Sequence, residues 1–154
     1  MLSGKDMKPV NDRAKNWKIE LGDWHQLQAS AAPIRLAVFV HEQHVPIEEE
    51  IDALDVACLH AVAFDGQGAA VATGRLLPDG HIGRMAVLKW ARGQGLGSAV
   101  LDALVNQARH KGLTEVVLSA QTHAKGFYLR HGFVQEGEEY LDANILHILM
   151  RQKF

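Results

Sequence analysis

Three glycines alternate with other residues in the segment Arg92-Gly93-Gln94-Gly95-Leu96-Gly97. An apolar, strand-like run ending at Leu88 precedes it, and a helical pattern from Ser98 to Lys111 follows. Such a turn leaves main-chain amides uncovered where a helix begins, and these amides attract phosphate together with the helix dipole. The guanidinium of Arg92 can add a forked, charge-assisted contact. The segment therefore predicts an anion-binding turn.

Two other phosphate-binding patterns do not fit this turn. A Walker A loop carries Lys followed by Ser or Thr directly after its last glycine, whereas Ser98-Ala99 follows here. The dinucleotide-binding pattern Gly-x-Gly-x-x-Gly/Ala requires Gly or Ala at its last position. That position is Ser98 when the pattern is counted from Gly93 and Val100 when it is counted from Gly95. A tight turn without a ligand would be served by one glycine. An anion cradle remains the best interpretation.

Apolar periodicity predicts the elements that hold the turn in place. The predicted strands cover residues 17–21, 59–64, 70–77, 81–88, 115–120, 133–141 and 145–150. The predicted helices cover residues 23–42, kinked or split at Pro33, then 96–111 and 123–131. A helix crossover makes strands 81–88 and 115–120 parallel. The sequence thus predicts an α/β protein with an antiparallel N-terminal meander, a parallel centre and an antiparallel C-terminal pair.

Length and composition limit the class of protein. At 154 residues, with 47% hydrophobic and 22% charged residues, the chain predicts one globular domain at 16–154 after a loose tail at 1–15. A net charge of -2 argues against a nucleic-acid partner. No apolar run approaches the roughly twenty residues that cross a bilayer. With one cysteine and no signal peptide, a cytoplasmic protein without a membrane partner is expected.

Charged residues outside the turn leave two interpretations open. Residues 45–55 are acidic and interrupted by Pro46. Such a run is usually a solvated face, although it could also be an electronegative wall that receives a cationic substrate. Arg75 and Arg84 lie on predicted strands, where a half-buried arginine needs a partner. They pair with the acidic segment or hold an anionic part of a substrate. The nine histidines show no spacing typical of a metal site.

The glycine turn resembles the phosphate-binding motif Gln/Arg-x-x-Gly-x-Gly/Ala of the GNAT superfamily of acetyl-CoA-dependent N-acetyltransferases. Residues 124–133 are similar to a second pattern of that family, Ala-x-x-Phe-Tyr-x-x-x-Gly-Phe. A narrower likeness to the ElaA/YjcF-like branch rests on residues 35–43, 45–46, 74–76 and 83–87, together with Glu50, Asp52 and Asp55. The resemblance covers nearly all of the chain except the tail. It implies a mixed sheet of about six to seven strands with helices on both faces.

The resemblance also implies where acetyl-CoA binds. The pyrophosphate would lie on the amides of residues 92–97, and the pantetheine arm would pair with the backbone of residues 85–87. A backbone N–H of Met85 or Ala86 would stabilise the oxyanion formed during acyl transfer. The residues implied at this cofactor site are Met85, Ala86, Val87, Arg92, Gly93, Gln94, Gly95, Leu96, Gly97, Ser98, Gln121, Ala124, Phe127 and Tyr128.

Tyr128 is the candidate that protonates the thiolate leaving group, because similar enzymes place their donor at this position. The general base remains open. His81 lies eleven positions before Arg92, where some relatives carry a glutamate, but a histidine beside Asp79-Gly80 is more often a solvated turn residue. Glu42, His44, Glu50 or a water molecule are alternatives. Candidates for the acceptor side are Glu42, Glu50, Arg75 and Arg84.

The resemblance therefore implies an enzyme that transfers the acetyl group of acetyl-CoA to a primary amine of a small molecule, or less readily of a peptide, without a metal. A module that binds acyl-CoA for a regulatory purpose is the alternative. Tyr128 favours the enzyme, because a protein that only binds needs no proton donor beside the sulfur. The sequence leaves a homodimer open.

Overall fold

Seven strands form a single mixed sheet in the order β1-β2-β3-β4-β5-β7-β6. The computed structural model describes residues 16–154, so the predicted tail at 1–15 lies outside the described residues. The strands are β1 Lys18–Gly22, β2 Leu59–Phe64, β3 Ala70–Leu76, β4 His81–Val87, β5 Glu115–Gln121, β6 Val134–Asp142 and β7 Ile145–Lys153. Only the β4–β5 pair is parallel among these strands. The predicted mixed sheet is confirmed.

The helices are α1 Trp24–Arg35, a π-helix Leu36–Glu42, α2 Ile47–Glu50, α3 Leu96–His110 and α4 Lys125–Arg130. A capping box begins α1, in which the Gln26 amide donates to Asp23 Oδ1 (2.8 Å) and the Asp23 amide donates to Gln26 Oε1 (2.9 Å). The predicted split at Pro33 is wrong. Pro33 lies inside α1, because the Leu36 amide donates to the carbonyls of Ala32 and Pro33 and keeps that turn closed.

The second half of the chain differs from the prediction in one helix. The predicted helix 123–131 is a 3₁₀ turn, Thr122–Ala124, followed by the short α4. Gly132, in the left-handed region at φ 88, then ends the helical segment and leads into β6. The strand pair β6–β7 is closed by Ala143 and Asn144 at φ 50 and 62. These two residues form a tight hairpin turn at one end of the sheet.

Helices cover both faces of the sheet. Ala61 and Ala63 of β2 pack into a cluster with α3, whereas Val62 packs with α1. Because successive side chains of a strand point to opposite faces, α3 and α1 lie on opposite sides. Gly74 allows Met85 and the α3 residue Leu104 to approach the backbone of β3 closely. A Cβ at this position would lie 2.5 Å from Met85 Sδ and 2.9 Å from Leu104 Cδ1.

The centre of the sheet is split. β4 and β5 are paired only at His81–Val117 and Ile82–Leu118. Directly after Ile82, β4 contains a bulge in which Arg84 and Met85 lie opposite the single residue Gly74 of β3. Arg84 has a φ of 52, an uncommon left-handed conformation for a residue with a side chain. The two strands diverge beyond this point and leave a cleft between them.

Candidate active site

The cleft between β4 and β5 has a volume of roughly 880 Å³. One end, here called the turn end, is formed by β4, the glycine turn and α4, through Met85, Ala86, Val87, Arg92, Gly97, Ala124, Phe127 and Tyr128. The other end, here called the hairpin end, is formed by the π-helix, α2, the end of β5 and the β6–β7 hairpin. Its polar lining residues are Glu42, Gln43, Glu49, Glu50, Arg84, Ser119, Gln121, His123, Asp142 and His147.

The glycine turn presents bare backbone at the start of α3. Gly93 and Gly95 have φ values of 75 and 86, a region that is costly for any residue with a Cβ. No side chain caps α3, and its first helical hydrogen bond is donated by the Ala99 amide to the Gly95 carbonyl (3.0 Å). The amides that precede Ala99 can therefore point to an anion, and the helix dipole reinforces this preference.

The predicted cofactor residues of this turn have different surroundings. Arg92 and Gly97 line the cleft, while Gly93, Gln94 and Gly95 lie beyond its lining. The side chain of Leu96 is buried in the core, so that only its backbone can contact a ligand. Ser98 Oγ lies 2.9 Å from His131 Nε2. All six residues from 93 to 98 thus offer a ligand mainly backbone.

Arg92 contacts the protein with its whole guanidinium. Its Nη1 and Nη2 donate to the two carboxylate oxygens of Glu42 at 2.6 and 2.7 Å, and its Nε donates to the Val87 carbonyl at 3.0 Å. The hydrogen bond from Arg92 holds the pKa of Glu42 below its ordinary value. In this structure the guanidinium forms an ion pair that ties the turn to the π-helix, and the predicted forked contact from Arg92 to a phosphate stays a prediction. Glu42 is correspondingly unsuited to act as a free base.

The acidic segment is neutralised by three arginines. Buried Arg35 binds Glu50 Oε1 through Nε (2.6 Å) and Asp55 Oδ1 through Nη1 (2.8 Å). Arg75 donates from Nη1 to Asp55 Oδ1 (2.8 Å) and to Asp52 Oδ1 (2.9 Å). The pKa of Asp52 is lowered to about 2, chiefly by its hydrogen bond with Arg75. These carboxylates are fully engaged in pairing.

Arg84 connects this network to the bulge in β4. Its Nε lies 2.9 Å from Glu50 Oε2, and its Nη2 donates to Asp52 Oδ2 at 3.0 Å. The contacts hold Arg84 in its left-handed conformation and thereby fix the neighbouring backbone of Met85 and Ala86, which lines the cleft. The idea that carboxylates 50, 52 and 55 form a wall for a cationic substrate is wrong. Arg75 and Arg84 pair with the acidic segment, the first of the two alternatives.

Tyr128 lies in the turn end with its ring packed against Phe127 and Phe133, at centroid distances of 5.0 and 5.8 Å. The residue is 8% exposed, and its hydroxyl bonds no residue in the described part of the chain. Burial raises the pKa of Tyr128 to about 12. At neutral pH the hydroxyl is therefore protonated and available to donate a hydrogen bond into the cleft.

His81 is not brought to the cleft. Its side chain is 53% exposed, and its Nδ1 lies 2.9 Å from Asp79 Oδ1 at the tip of the β3–β4 turn. This arrangement agrees with a solvated turn residue. Of the other base candidates, Glu42 and Glu50 line the cleft but are both bound by arginine, and His44 is exposed and lies outside the lining.

A pair of glutamines joins the two walls of the hairpin end. Gln121 Nε2 donates to Gln43 Oε1 at 2.8 Å, and Gln43 Nε2 donates back to Gln121 Oε1 at 3.3 Å. Gln121 was predicted at the cofactor site, whereas here it connects β5 with the end of the π-helix. Its Oε1 also lies 2.7 Å from His123 Nε2.

Sequence reasoning missed most of the hairpin end. Ser119, Asp142 and His147 line the cleft, and each lies in a segment interpreted only as a strand or a turn. No local pattern marks them, because they meet only through the pairing of β5 with β7 and of β7 with β6. In residues 16–154 no cluster of three or more potential metal ligands is found, and no helix there is long and apolar enough to span a membrane.

A split mixed sheet with a bare glycine turn and a bulged strand at the split fits the class of acyltransferases that use an acyl-CoA. Residues 25–154 match the acetyltransferase (GNAT) domain family, so the chain belongs to this family and is an acyltransferase enzyme. The uncharacterized N-acetyltransferase YjcF of Bacillus subtilis is 41% identical over 120 residues, which cover 76% of this chain and 86% of the relative.

Solved structures agree with this assignment. An acyl-CoA N-acyltransferase from Pseudomonas aeruginosa is 35% identical, with a TM-score of 0.79 and coverage of 88% of this chain and 99% of that chain. ElaA of Escherichia coli is 25% identical, also with a TM-score of 0.79, and covers 89% of this chain and 99% of its own. The resemblance to the GNAT superfamily and to the ElaA/YjcF-like branch is confirmed by these matches.

Proposed function

We propose that the enzyme transfers the acetyl group of acetyl-CoA to a primary amine of a small molecule, by direct attack of the amine within a ternary complex. Tyr128 protonates the departing CoA thiolate. The observation that supports this proposal is the protonated Tyr128 hydroxyl, which bonds no residue within 16–154 and lines the same cleft as the backbone of Met85 to Val87. A protein that only bound acyl-CoA would gain nothing from a hydroxyl that is left open to the cleft in this way.

The turn end fits the chemistry of acetyl-CoA. The left-handed glycines and the uncapped start of α3 suit a pyrophosphate, for which Gly93 to Ser98 would supply amides. The backbone of Met85 to Val87 would pair with the peptide-like pantetheine arm, because β4 is paired with β5 only at His81 and Ile82 and its edge toward the cleft is free beyond them. When bound, acetyl-CoA supplies an activated acyl group and a thiolate leaving group.

The chain's own residues then supply orientation and hydrogen bonds. An N–H of Met85 or Ala86 would donate to the carbonyl oxygen of the acyl group as negative charge develops on it. Tyr128 donates at the sulfur, and its high pKa keeps the donor protonated until the thiolate forms. Because a phenol with a pKa of about 12 is a weak acid, a strong hydrogen bond to the sulfur precedes the transfer of the proton.

A small acceptor fits the hairpin end better than a peptide. The Gln43–Gln121 pair crosses between the two walls and divides the space that an extended polypeptide would need. Glu49 and Asp142 line this end, and neither side chain is paired within residues 16–154, so a cationic amine would be favoured. A cytoplasmic location remains a prediction, which the buried free thiol of Cys58 suits.

The proposal is tested by measuring the release of free CoA thiol from acetyl-CoA across a panel of amines. The panel contains aliphatic monoamines, diamines, amino sugars, amino-acid amides and a lysine-containing peptide. Amine-dependent release together with an acetylated product supports the transferase. If acetyl-CoA binds in a calorimetric titration and none of the amines accelerates release, the regulatory binding module is the better account.

A further inference from the structure

One titratable group of the cleft has no role so far, the imidazole of His147 on β7. Its neighbours across the sheet are Gln121 on β5 and Tyr140 on β6, so it lies in the middle of the hairpin end. The residue is only 8% exposed and nevertheless lines the cleft. A buried histidine that faces a substrate cleft is well placed for proton transfer.

The hydrogen bond of His147 determines which nitrogen is free. Nδ1 lies 2.7 Å from the carbonyl oxygen of Ile145, and a carbonyl can only accept. Nδ1 must therefore carry the proton, which leaves the lone pair of the neutral ring on Nε2. No side chain or carbonyl in residues 16–154 bonds this second nitrogen. The backbone of β7 thus selects the tautomer in which Nε2 is a base.

The orientation of the ring is also fixed. Tyr140 stacks on it with a centroid distance of 6.1 Å and an interplanar angle of 27°. The Tyr140 hydroxyl is itself hydrogen-bonded to Ser119 Oγ, on the neighbouring strand. A ring held by a backbone bond on one edge and by a stacked aromatic on its face needs little reorganisation before it accepts a proton.

Every other titratable side chain of the hairpin end is less suitable. Glu42 and Glu50 are bound by arginines. His123 directs Nε2 to the Gln121 amide and is exposed. Glu49 on α2 and Asp142 at the hairpin turn are free carboxylates, which are weak bases toward an ammonium group. The ionisable groups that face His147 are Tyr140 from β6, Asp142 from the turn and His123 from the 3₁₀ segment.

We propose that His147 is the general base of the acetyl transfer, an inference that rests on the proposed function. His147 Nε2 takes a proton from the acceptor ammonium, and the freed nitrogen pair forms the N–C bond to the acyl carbon. The C–S bond breaks with its electron pair on sulfur, which receives the Tyr128 proton. The attacking nitrogen loses its second proton to solvent as the tetrahedral intermediate collapses. Solvent also removes the proton from His147 and restores the one on Tyr128. The sum is one amide, one free thiol and one released proton.

The tautomer is tested without any substrate. Long-range ¹H–¹⁵N correlation spectra of the imidazole side chains, with the His147→Asn spectrum used for assignment, report which ring nitrogen is protonated. An unprotonated Nε2 at pH 8 is the expected result. A neutral ring with its proton on Nε2 would overturn the proposal, because a protonated Nε2 has no lone pair with which to accept a proton.

The role is tested by kinetics with the amine of the panel that reacts fastest. Asparagine at position 147 retains an N–H donor for the Ile145 carbonyl but has no basic nitrogen. We expect kcat/KM for the amine to fall by about 10²-fold or more, and the pH profile of the variant to differ from that of the wild type, because only the concentration of free amine then determines it. The KM for acetyl-CoA should change little.

Two matched histidine variants complete the experiment. His110→Asn alters an exposed residue at the end of α3 and should behave like the wild type, while His81→Asn tests the base suggested by the sequence. If His147→Asn binds acetyl-CoA normally but retains the wild-type pH profile, the base proposal fails while the transferase stands. If the wild type itself acetylates no amine of the panel, both fail.

Should His147→Asn unfold, His147→Ala with added imidazole replaces it. Recovery of rate in proportion to imidazole supports the base, and no recovery opposes it.

Discussion

Arg92 and Glu42 are joined by two hydrogen bonds of 2.6 and 2.7 Å, which fix the glycine turn to the π-helix across the cleft. Their side chains are 40% and 35% exposed, so the pair adds little to overall stability. Its importance is geometric, because Arg92 also donates to the Val87 carbonyl at the end of β4. One guanidinium thus connects three segments that a CoA molecule would contact.

This geometry predicts that Arg92 and Glu42 act as one unit on cofactor binding. Arg92→Ala, Glu42→Ala and the double variant should each raise the KM for acetyl-CoA by roughly fivefold, the factor that about 1 kcal/mol gives, without adding to one another. Steady-state kinetics at saturating amine measure this. An increase in Arg92→Ala alone would instead mean that Arg92 binds the phosphates directly.

Tyr128→Phe should lower kcat by about 10²-fold while the KM for acetyl-CoA stays within a factor of two, as expected for the loss of a proton donor. The ring and its contacts with Phe127 and Phe133 remain, so folding is retained. Tyr140→Phe is the matched control, since the chain has only these two tyrosines. Tyr140→Phe keeps the aromatic ring stacked on His147 and should lower kcat by a few-fold at most. Full turnover in Tyr128→Phe would contradict the role.

Asp55→Asn should destabilise the fold by about 3–5 kcal/mol, the range typical of breaking a buried ion pair on one side. Although burial opposes it, hydrogen bonds from Arg35 and Arg75 hold the pKa of Asp55 below its ordinary value. Removing the charge leaves buried Arg35 and Arg75 without one of their carboxylate partners. Urea unfolding measures the loss, and Asp79→Asn, at an exposed turn, serves as the control. A change below 1 kcal/mol for Asp55→Asn would show that the network is not stabilising.

The network also predicts how stability depends on acid. The pKa of Asp52 is depressed from 3.8 to about 2 in the folded protein, so its contribution is complete above pH 4 and is lost as the pH falls toward 2. Urea unfolding between pH 7 and pH 2 should show the difference between wild type and Asp52→Asn shrinking in that window. A constant difference down to pH 2 would exclude the linkage.

Gln43→Ala should broaden the range of acceptors, because it removes the bridge between the π-helix and Gln121. Larger amines, including a lysine-containing peptide, should gain in kcat/KM relative to small ones by severalfold, while the KM for acetyl-CoA is unchanged. Competition between a small and a large amine, followed by mass spectrometry of the products, gives the ratio directly. An unchanged ratio would mean that the bridge does not limit acceptor size.

The glycine turn and α4 could be read from the sequence because their signals are local. Gly93 and Gly95 need left-handed backbone, and Tyr128 lies in a short motif that ends at Gly132 and Phe133. The bulge at Arg84 could not be read, since a left-handed arginine is stabilised by Glu50 and Asp52, which lie far away in the chain. The same holds for His147, whose position depends on the register between β5 and β7.

Pro33 shows a different limit. Proline in a helical pattern predicts a kink at that residue, yet the change in winding begins at Leu36, where the chain continues as a π-helix. The propensity of one residue did not divide the helix, because Ile34 and Val38, on either side of the change in winding, pack into one cluster with Val62 and Ala86 of the sheet. Tertiary packing overrode the local signal.

The tight turn at Ala143 and Asn144 borders the cleft on the side opposite to the glycine turn. It joins two strands at the outer edge of the sheet, and the surroundings of α3 do not depend on it. A library of hairpin insertions at this point is therefore a way to vary the hairpin end of the cleft without altering the glycine turn.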